Sequence, residues 1–403
     1  MSAKPLVIRP DPEKAVTAGQ ELDLLRVAYQ RSPTPSMRIR LCRLLMLEEA
    51  FAEVVDVLTT CGSLDYRCEM ILAQAYLSAE TPSDDQLAKA AANRALALAQ
   101  GDIAHASALA TRGKCETRLG EPEKALATLA AALALDPHNR DACKRIAAIE
   151  LAADHPMAVV TLTEKLLAKG ANHARLFGAQ SLAYARAGNI AAAKVSDGFD
   201  AFHRAEQLAP PPGWDSIAAF NAALAVELLN HPGTRFERYG SASQQTWRIE
   251  NPARSDTPLF KALLQQIIAT LEMRIVQASR PDHQSGHPWA AAAPQTALLR
   301  NWCVITESEG FETWHVHQFG WLSGVYYVRI PESIAHGTTR DGCLAFGLPD
   351  DLAGTKGAAA FGEHIIRPRE GLLMTFPSQC YHRTYPHRTG EKRICVAFDV
   401  RPE

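Results

Sequence analysis

The sequence predicts an α+β chain in two parts, an α-helical repeat solenoid followed by a strand-rich jelly-roll domain with bracing helices. Three observations carry this reading. Residues 1 to about 205 are rich in Ala and Leu and poor in Gly and aromatics, a composition that favours helices. From about residue 285 onward Gly, Trp, Tyr, Phe and Val become common, and short apolar runs alternate with turns, as strands require. Between the two lies Pro210-Pro211-Pro212-Gly213, a run that stops helices and stiffens a connection. It places a helical domain at 1–209 and a strand-rich domain at 210–403.

The bulk numbers narrow the classes. A chain of 403 residues has room for two domains or more, and 47% hydrophobic with 21% charged residues is ordinary for a globular protein. A net charge of -2 offers no basic excess for nucleic acid, and no polybasic patch for a membrane surface. The start MSAKPLVIRP lacks the apolar core of a signal peptide, and no apolar run of about eighteen residues is present to span a bilayer. Nine cysteines without a CxxC pair fit free thiols in a reducing cytoplasm.

Within the helical part, Gly113, Gly120, Ala125, Ala132 and Pro137 fall at the positions where tetratricopeptide repeats place small residues, a turn glycine and a closing proline. The small residues let the two helices of a repeat approach closely, and the proline ends the second. LATRGKCETRLGEPEKALATLAAALALDP resembles one such repeat; SLAYARAGNIAAAKV, with Tyr184, Gly188 and Ala193 in phase, is a second copy. LAQAYLSA with QLAKAAANRALALA gives a third, and the pattern fades at 140–170 and before 65. A generic Ala-rich helical bundle is the alternative. Stacked repeats form a curved superhelix whose concave face usually holds a peptide or protein segment. A protein partner in that groove, the substrate itself, bracing of the chain's own second domain, and homodimerisation remain open roles.

Residues 215–300 form a bridge. WDSIAAFNAALAVELLN and DTPLFKALLQQIIATLEMRIVQA show helical apolar spacing, and RYGSASQQTWRIE between them reads as a short extended segment.

The chemistry sits further on. In FETWHVHQFGWLSGVYYV, His315 and His317 are two residues apart, so an extended strand points both imidazoles to one side. A third histidine, His382, comes much later, in LLMTFPSQCYHRTYPHRTGEKRICVAFDV. Two ligands close together and one distant match a double-stranded β-helix, in which distant strands meet at one mouth. Three ligands on one face leave three positions open, as at non-haem iron. Eleven residues beyond His382, Arg393 opens the apolar strand RICVAFDV, where a guanidinium can pair with a carboxylate in bidentate fashion.

With these residues in view, 215–401 resembles the 2-oxoglutarate/Fe(II) oxygenase superfamily. HVHQFGWLSGVYYV, RPREGLLMTFPS and H-x(10)-R are similar to a bacterial and phage group within it. The resemblance implies Fe(II), 2-oxoglutarate as co-substrate and O2, with His315, His317 and His382 on the metal. It implies Arg393 and Tyr327 on the distal carboxylate of 2-oxoglutarate. The reaction it implies is oxidative decarboxylation to succinate coupled to hydroxylation of a peptide, protein or small molecule. His317 stands where the superfamily has Asp or Glu, which leaves the site one unit more positive. A three-histidine, cupin-type dioxygenase without 2-oxoglutarate is therefore the competing reading, and a non-catalytic repeat scaffold with a degenerate β domain is a third.

Other polar and aromatic residues carry weaker expectations. His387 reads as a loop histidine, His336 and His364 as exposed, and Lys392 as a solvated charge on the strand face opposite Arg393. Ser378 and Thr375 are secondary site candidates, and Trp302, Trp314 and Trp321 wall the pocket or fill the core. Gln244, Gln245 and Thr246 form a polar motif without an assignable role. The Gly-rich stretch 333–363 is either a closing loop or an exposed connection.

Overall fold

The computed structural model describes residues 6–12, 20–79, 81–236, 242–278 and 286–403. The first residues of the chain, and the RYGS portion of the expected extended segment, lie outside the described residues. The chain forms two compact units, Val16–Ala171 and a second made of Met1–Ala15 with Asn172–Glu403.

The first unit is built of helices in hairpins: Gln20–Arg31, Pro35–Leu47, Phe51–Thr59, Tyr66–Ala79, Pro82–Leu98, Asp102–Arg118, Pro122–Leu135, Arg140–Ala152 and Pro156–Ala168. Pro35, Pro82, Pro122 and Pro156 open their helices, where a missing N–H costs nothing and φ is already set. Gly113 lies so close to the next helix that a Cβ there would sit 2.6 Å from the Leu129 side chain. Ala125 and Ala132 are fully buried on the facing helix, as the repeat pattern requires. Helix hairpins continue through 140–168 and back to residue 20, where the sequence pattern is faint.

The second unit holds the strands: β1 (Val7–Pro10), β2 (Arg204–Gln207), β3 (Arg235–Phe236), β4 (Ser243–Glu250), β5 (Thr296–Glu312), β6 (Leu322–Arg329), β7 (Leu344–Phe346), β8 (His364–Ile366), β9 (Leu372–Pro377), β10 (His382–Thr384) and β11 (Arg393–Pro402). Among the described residues, one sheet runs β2-β9-β6-β11-β5-β4-β3 with β1 beside β5, and a smaller sheet runs β10-β7-β8. The strand-rich domain expected from the sequence is thus present as two sheets. β1 was not foreseen. Val7 to Pro10 pair in parallel with Thr296 to Leu299, so this short segment joins the large sheet beside the first residues of β5.

The expected bracing helices are Ile217–Leu229 and Pro258–Ala278. The first buries Phe220, Leu224 and Leu228, and its buried Asn221 accepts the Tyr326 hydroxyl of β6 at 2.8 Å. Its Glu227 carboxylate caps the N-terminus of the second, accepting from the Leu259 and Phe260 amides at 3.1 and 2.8 Å, where the helix dipole favours negative charge.

The units divide at 171/172 rather than at Pro210–Gly213. The helices Ala174–Arg186, Ile190–Asp197 and Phe199–Phe202 pack with the strand-rich unit, and small residues make this close. A Cβ at Gly178 would lie 3.2 Å from the Tyr381 ring, and one at Gly357 would lie 2.6 Å from the Ala185 carbonyl. Phe199 packs on Phe346 of β7, with ring centroids 4.3 Å apart. The later part of the stretch 333–363, expected as a closing loop or an exposed connection, is helical and packed. Its helix Thr355–Phe361 sits on Ala174–Arg186, and Arg186 donates to the Leu352 carbonyl at 3.1 Å.

Candidate metal centre

β5 ends at Glu312, and past a bend at Trp314 the chain runs through His315 and His317 beside the segment 378–382. His315 and His382 exchange backbone hydrogen bonds of 3.0 and 3.1 Å, and the His317 amide donates to the Ser378 carbonyl at 3.0 Å. That ladder brings the three imidazoles together. One ligand nitrogen from each of His315, His317 and His382 lies within 4.8 Å of the others.

The Nδ1 atom of each ring faces an acceptor. That of His315 reaches the Thr313 carbonyl at 2.7 Å, that of His382 the Cys380 carbonyl at 3.0 Å, and that of His317 the Asp399 carboxylate at 2.5 Å. A carbonyl or carboxylate can only accept, so these bonds set the proton on Nδ1 and turn the lone pair of each Nε2 inward. The Nε2 atoms of His315 and His317 are 3.2 Å apart. Two lone pairs at that distance repel unless a cation lies between them. Burial, reinforced by His317, holds the His315 imidazole down to about 3. Burial and both neighbouring histidines hold His382 well below its ordinary range. Both are neutral at pH 7, the form that binds a metal. Burial raises the Asp399 carboxyl, but the charge interaction and hydrogen bond with His317, with Arg401 and Ser323, outweigh it and keep Asp399 below the usual range.

These rings line a cavity of about 460 Å³ together with Tyr327, Arg393, Trp302, Phe376 and Asp399. β11 presents Arg393, Cys395, Ala397, Asp399 and Arg401 to it, the alternate residues of one strand face. Arg393 is 3% exposed, with its guanidinium 5.4 Å from the centre of the Tyr327 ring. Burial keeps the Tyr327 hydroxyl well above the usual phenol range. Arg393 pairs across β5 with Thr306, and Thr306 with Thr246 of β4. The Nε of Arg393, the hydroxyl of Tyr327 and the Oγ1 atoms of Thr306 and Thr246 are all buried without a hydrogen-bond partner. Orphaned polar atoms of this kind are costly, and here several donors lie along one row. Of these residues Arg393 and Tyr327 line the cavity, where a bound carboxylate could accept from both.

The row also gives Gln244–Thr246 a structural part. The β4–β5 register shifts between Gln244 and Thr246, and Gln245 takes φ 51°. This bulge sets Thr246 opposite Thr306. A Cβ at Gly310 would meet the Gln245 carbonyl at 2.6 Å, so glycine is needed there.

The other candidates sort by environment. Trp302 flanks His317, with ring centroids 5.4 Å apart. Trp321 stacks on Trp289 in the core and Trp314 lies against Arg383. Ser378 is buried, with its hydroxyl 2.7 Å from that of Ser323, and Thr375 is buried in β9 opposite Gly324. His387 is a buried loop residue whose Nδ1 meets Thr389 Oγ1 at 3.0 Å. His336 is exposed beside Glu332, His364 is partly exposed and faces Asp200 at 3.4 Å, and Lys392 pairs with Glu307 at 3.1 Å. Asp399 went unnoticed in the sequence. Its even spacing from Arg393 along RICVAFDV puts the two on one face, and that parity was the available signal.

Residues 300–399 match the family described as "Putative 2OG-Fe(II) oxygenase". The family's chemistry runs on iron(II) and 2-oxoglutarate with O2, and the region has residues that could hold both. Solved structures also resemble parts of the chain. A Pseudomonas putida prolyl-4-hydroxylase is 18% identical over 52% of this chain and 98% of its own, with a TM-score of 0.34. HygX from Streptomyces hygroscopicus, with nickel and 2-oxoglutarate bound, is 12% identical over 50% of this chain and 82% of its own, at 0.32. YrrB, a TPR protein with an unusual peptide-binding site, is 17% identical over 43% of this chain and 93% of its own, at 0.32. At these scores the likenesses carry no weight of their own. None of the curated proteins compared matches the chain. Among the described residues, no helix is long and apolar enough to cross a membrane.

Proposed function

We propose that the strand-rich unit is a 2-oxoglutarate-dependent dioxygenase that hydroxylates a C–H bond, with iron(II) on His315, His317 and His382. The observation that supports this most is the set of three inward Nε2 lone pairs, each fixed by an acceptor on Nδ1. Bound iron(II) with 2-oxoglutarate and O2 would supply the oxidation of an unactivated C–H bond, coupled to decarboxylation of the co-substrate.

The chain's own residues do the rest. Arg393 and Tyr327 receive the distal carboxylate of 2-oxoglutarate at the closed end of the cavity, with Thr306 and Thr246 on the same row. Trp302, Phe376 and Val325 keep the walls apolar and exclude water. Substrate enters from the open side, where Gln318 and the exposed Phe319 stand. The helical hairpins of Val16–Ala171 offer a surface for a peptide or protein partner, and the substrate is a peptide, protein or small molecule. The cysteines are free, which suits the cytoplasm.

The test is release of succinate from labelled 2-oxoglutarate with Fe(II) and ascorbate, beside metal analysis. A stoichiometric metal signal that disappears in His382→Ala, and succinate formation that disappears in Arg393→Ala, are the expected results. Metal binding without any 2-oxoglutarate turnover, together with O2 uptake in its absence, would favour the three-histidine reading that His317 keeps open. No affinity for metal would favour the scaffold.

A further inference from the structure

The three histidines are not held alike. Two give their Nδ1 proton to main-chain carbonyls, of Thr313 and Cys380. His317 gives its proton to a side-chain carboxylate, Asp399 Oδ1 at 2.5 Å, and Asp399 is only 3% exposed. A carbonyl suffices to orient an imidazole. A buried carboxylate is a costly way to achieve the same orientation, so its charge should have a use.

Three neutral imidazoles leave a divalent ion at +2, whereas two imidazoles and one carboxylate, the facial triad of non-haem iron, leave it at +1. A carboxylate one hydrogen bond away from a ligand restores that sum and raises the ligand's basicity. We propose that Asp399, acting through His317, supplies the negative charge that the His-x-His pair leaves out of the metal's ligand set. It is a positioning and charge-compensating residue rather than a ligand. The proposal rests on the reading of His317 as a metal ligand.

The surroundings fit this task. Ser323 donates to the same Asp399 oxygen at 2.8 Å, Ser378 backs Ser323 at 2.7 Å, and Arg401 approaches the other oxygen at 3.7 Å, so the carboxylate is held in place and ionised beside His317. Gly320 leaves room for the cluster. A Cβ there would lie 2.3 Å from Ser378 Oγ and 3.3 Å from Asp399 Cγ. Asp399 also shares the inner face of β11 with Arg393. One strand therefore delivers both the cation for the co-substrate and the counter-charge for the metal.

Calorimetric titration of Co(II) into the full-length metal-free protein tests this. Asp399→Asn keeps the shape and an acceptor oxygen but removes the charge. It is expected to weaken Co(II) binding by about 10- to 100-fold, the usual effect of losing such a partner. Adding His317→Asp to Asp399→Asn moves the carboxylate onto the metal, and the double variant is expected to regain affinity. A purely structural Asp399 would show no such rescue, and failure of the rescue would overturn the proposal. So would native affinity in Asp399→Asn, with the reading of the site left standing. If the native protein binds no Co(II), it is the reading of the site that fails.

Should Asp399→Asn not fold, the native protein loaded with Zn(II) still decides the matter by nitrogen-edited proton NMR. The His317 Nδ1 proton, bonded to a carboxylate, should resonate downfield of the Nδ1 protons of His315 and His382. Three similar positions would refute the charge-assisted bond.

Discussion

Replacing Arg393 with Met removes a charge from the closed end of the cavity while keeping most of the side-chain volume. Arg393 is 3% exposed and Tyr327 fully buried, so a carboxylate bound between them is stripped of water and depends on its partners. Truncating one side of a buried, hydrogen-bonded charge pair costs about 2–5 kcal/mol. At about 1.4 kcal/mol per tenfold, 2-oxoglutarate should bind roughly 30-fold to several thousand-fold more weakly. The same change relieves the unliganded protein of a buried guanidinium whose Nε has no partner. Replacing buried ionic groups with apolar volume is often neutral and in some proteins stabilising by about 1–4 kcal/mol. Arg393→Met should therefore unfold at a temperature no lower than the native protein when co-substrate is absent. The assay is titration of 2-oxoglutarate into the Co(II)-loaded protein without oxygen, beside a thermal melt of the metal-free form. Affinity within about threefold of native, with Co(II) still bound, would remove Arg393 as the anchor.

Other consequences can be checked independently. Burial raises the Asp197 carboxyl from 3.8 to about 7. Its folded value lies above its unfolded one, so its contribution is complete below about pH 4 and is lost as pH rises through 7. The span, 7 minus 3.8 at about 1.36 kcal/mol per unit, is at most about 4 kcal/mol. Asp197→Asn should flatten the fall in stability between about pH 4 and pH 7 in urea titrations, and parallel profiles for the two proteins would refute the assignment. Gly357→Ala places a methyl 2.6 Å from the Ala185 carbonyl. Overpacking costs about 1–3 kcal/mol and outweighs a helix-propensity gain of up to about 1 kcal/mol. A lower melting temperature is expected, and an unchanged one would mean that helix Thr355–Phe361 is not seated as described.

The legible parts of the sequence were those written in local spacing. His315 and His317 were recognisable because a period of two fixes a shared side, and the Gly113–Pro137 pattern because a repeat states its own helix contacts. The features missed depend on contacts between distant residues. VIRP has four residues with a proline at its end, too short to announce a strand, and only Thr296–Leu299 makes it one. The boundary near Pro210 was drawn from composition, and helical residues 174–202 look like the repeats before them. What assigns them to the strand-rich unit is the fit of Gly178 and Gly357 against neighbours far along the chain. Asp399 had the right parity, but one acid in an apolar strand does not reveal that a histidine's Nδ1 faces it.

The pairing of Val7–Pro10 with Thr296–Leu299 has a consequence for biogenesis. Val7–Pro10 docks on a strand synthesised nearly three hundred residues later, so this part of the large sheet cannot close until most of the chain exists. Val16–Ala171 is, in chain order, an insertion into the other unit. Its helix hairpins are local and can form early, while the loop-closure cost of the late docking grows only slowly with loop length. A fragment starting at Asn172 would retain every candidate metal ligand and still present a bare strand edge at Thr296–Leu299, the kind of edge that invites aggregation.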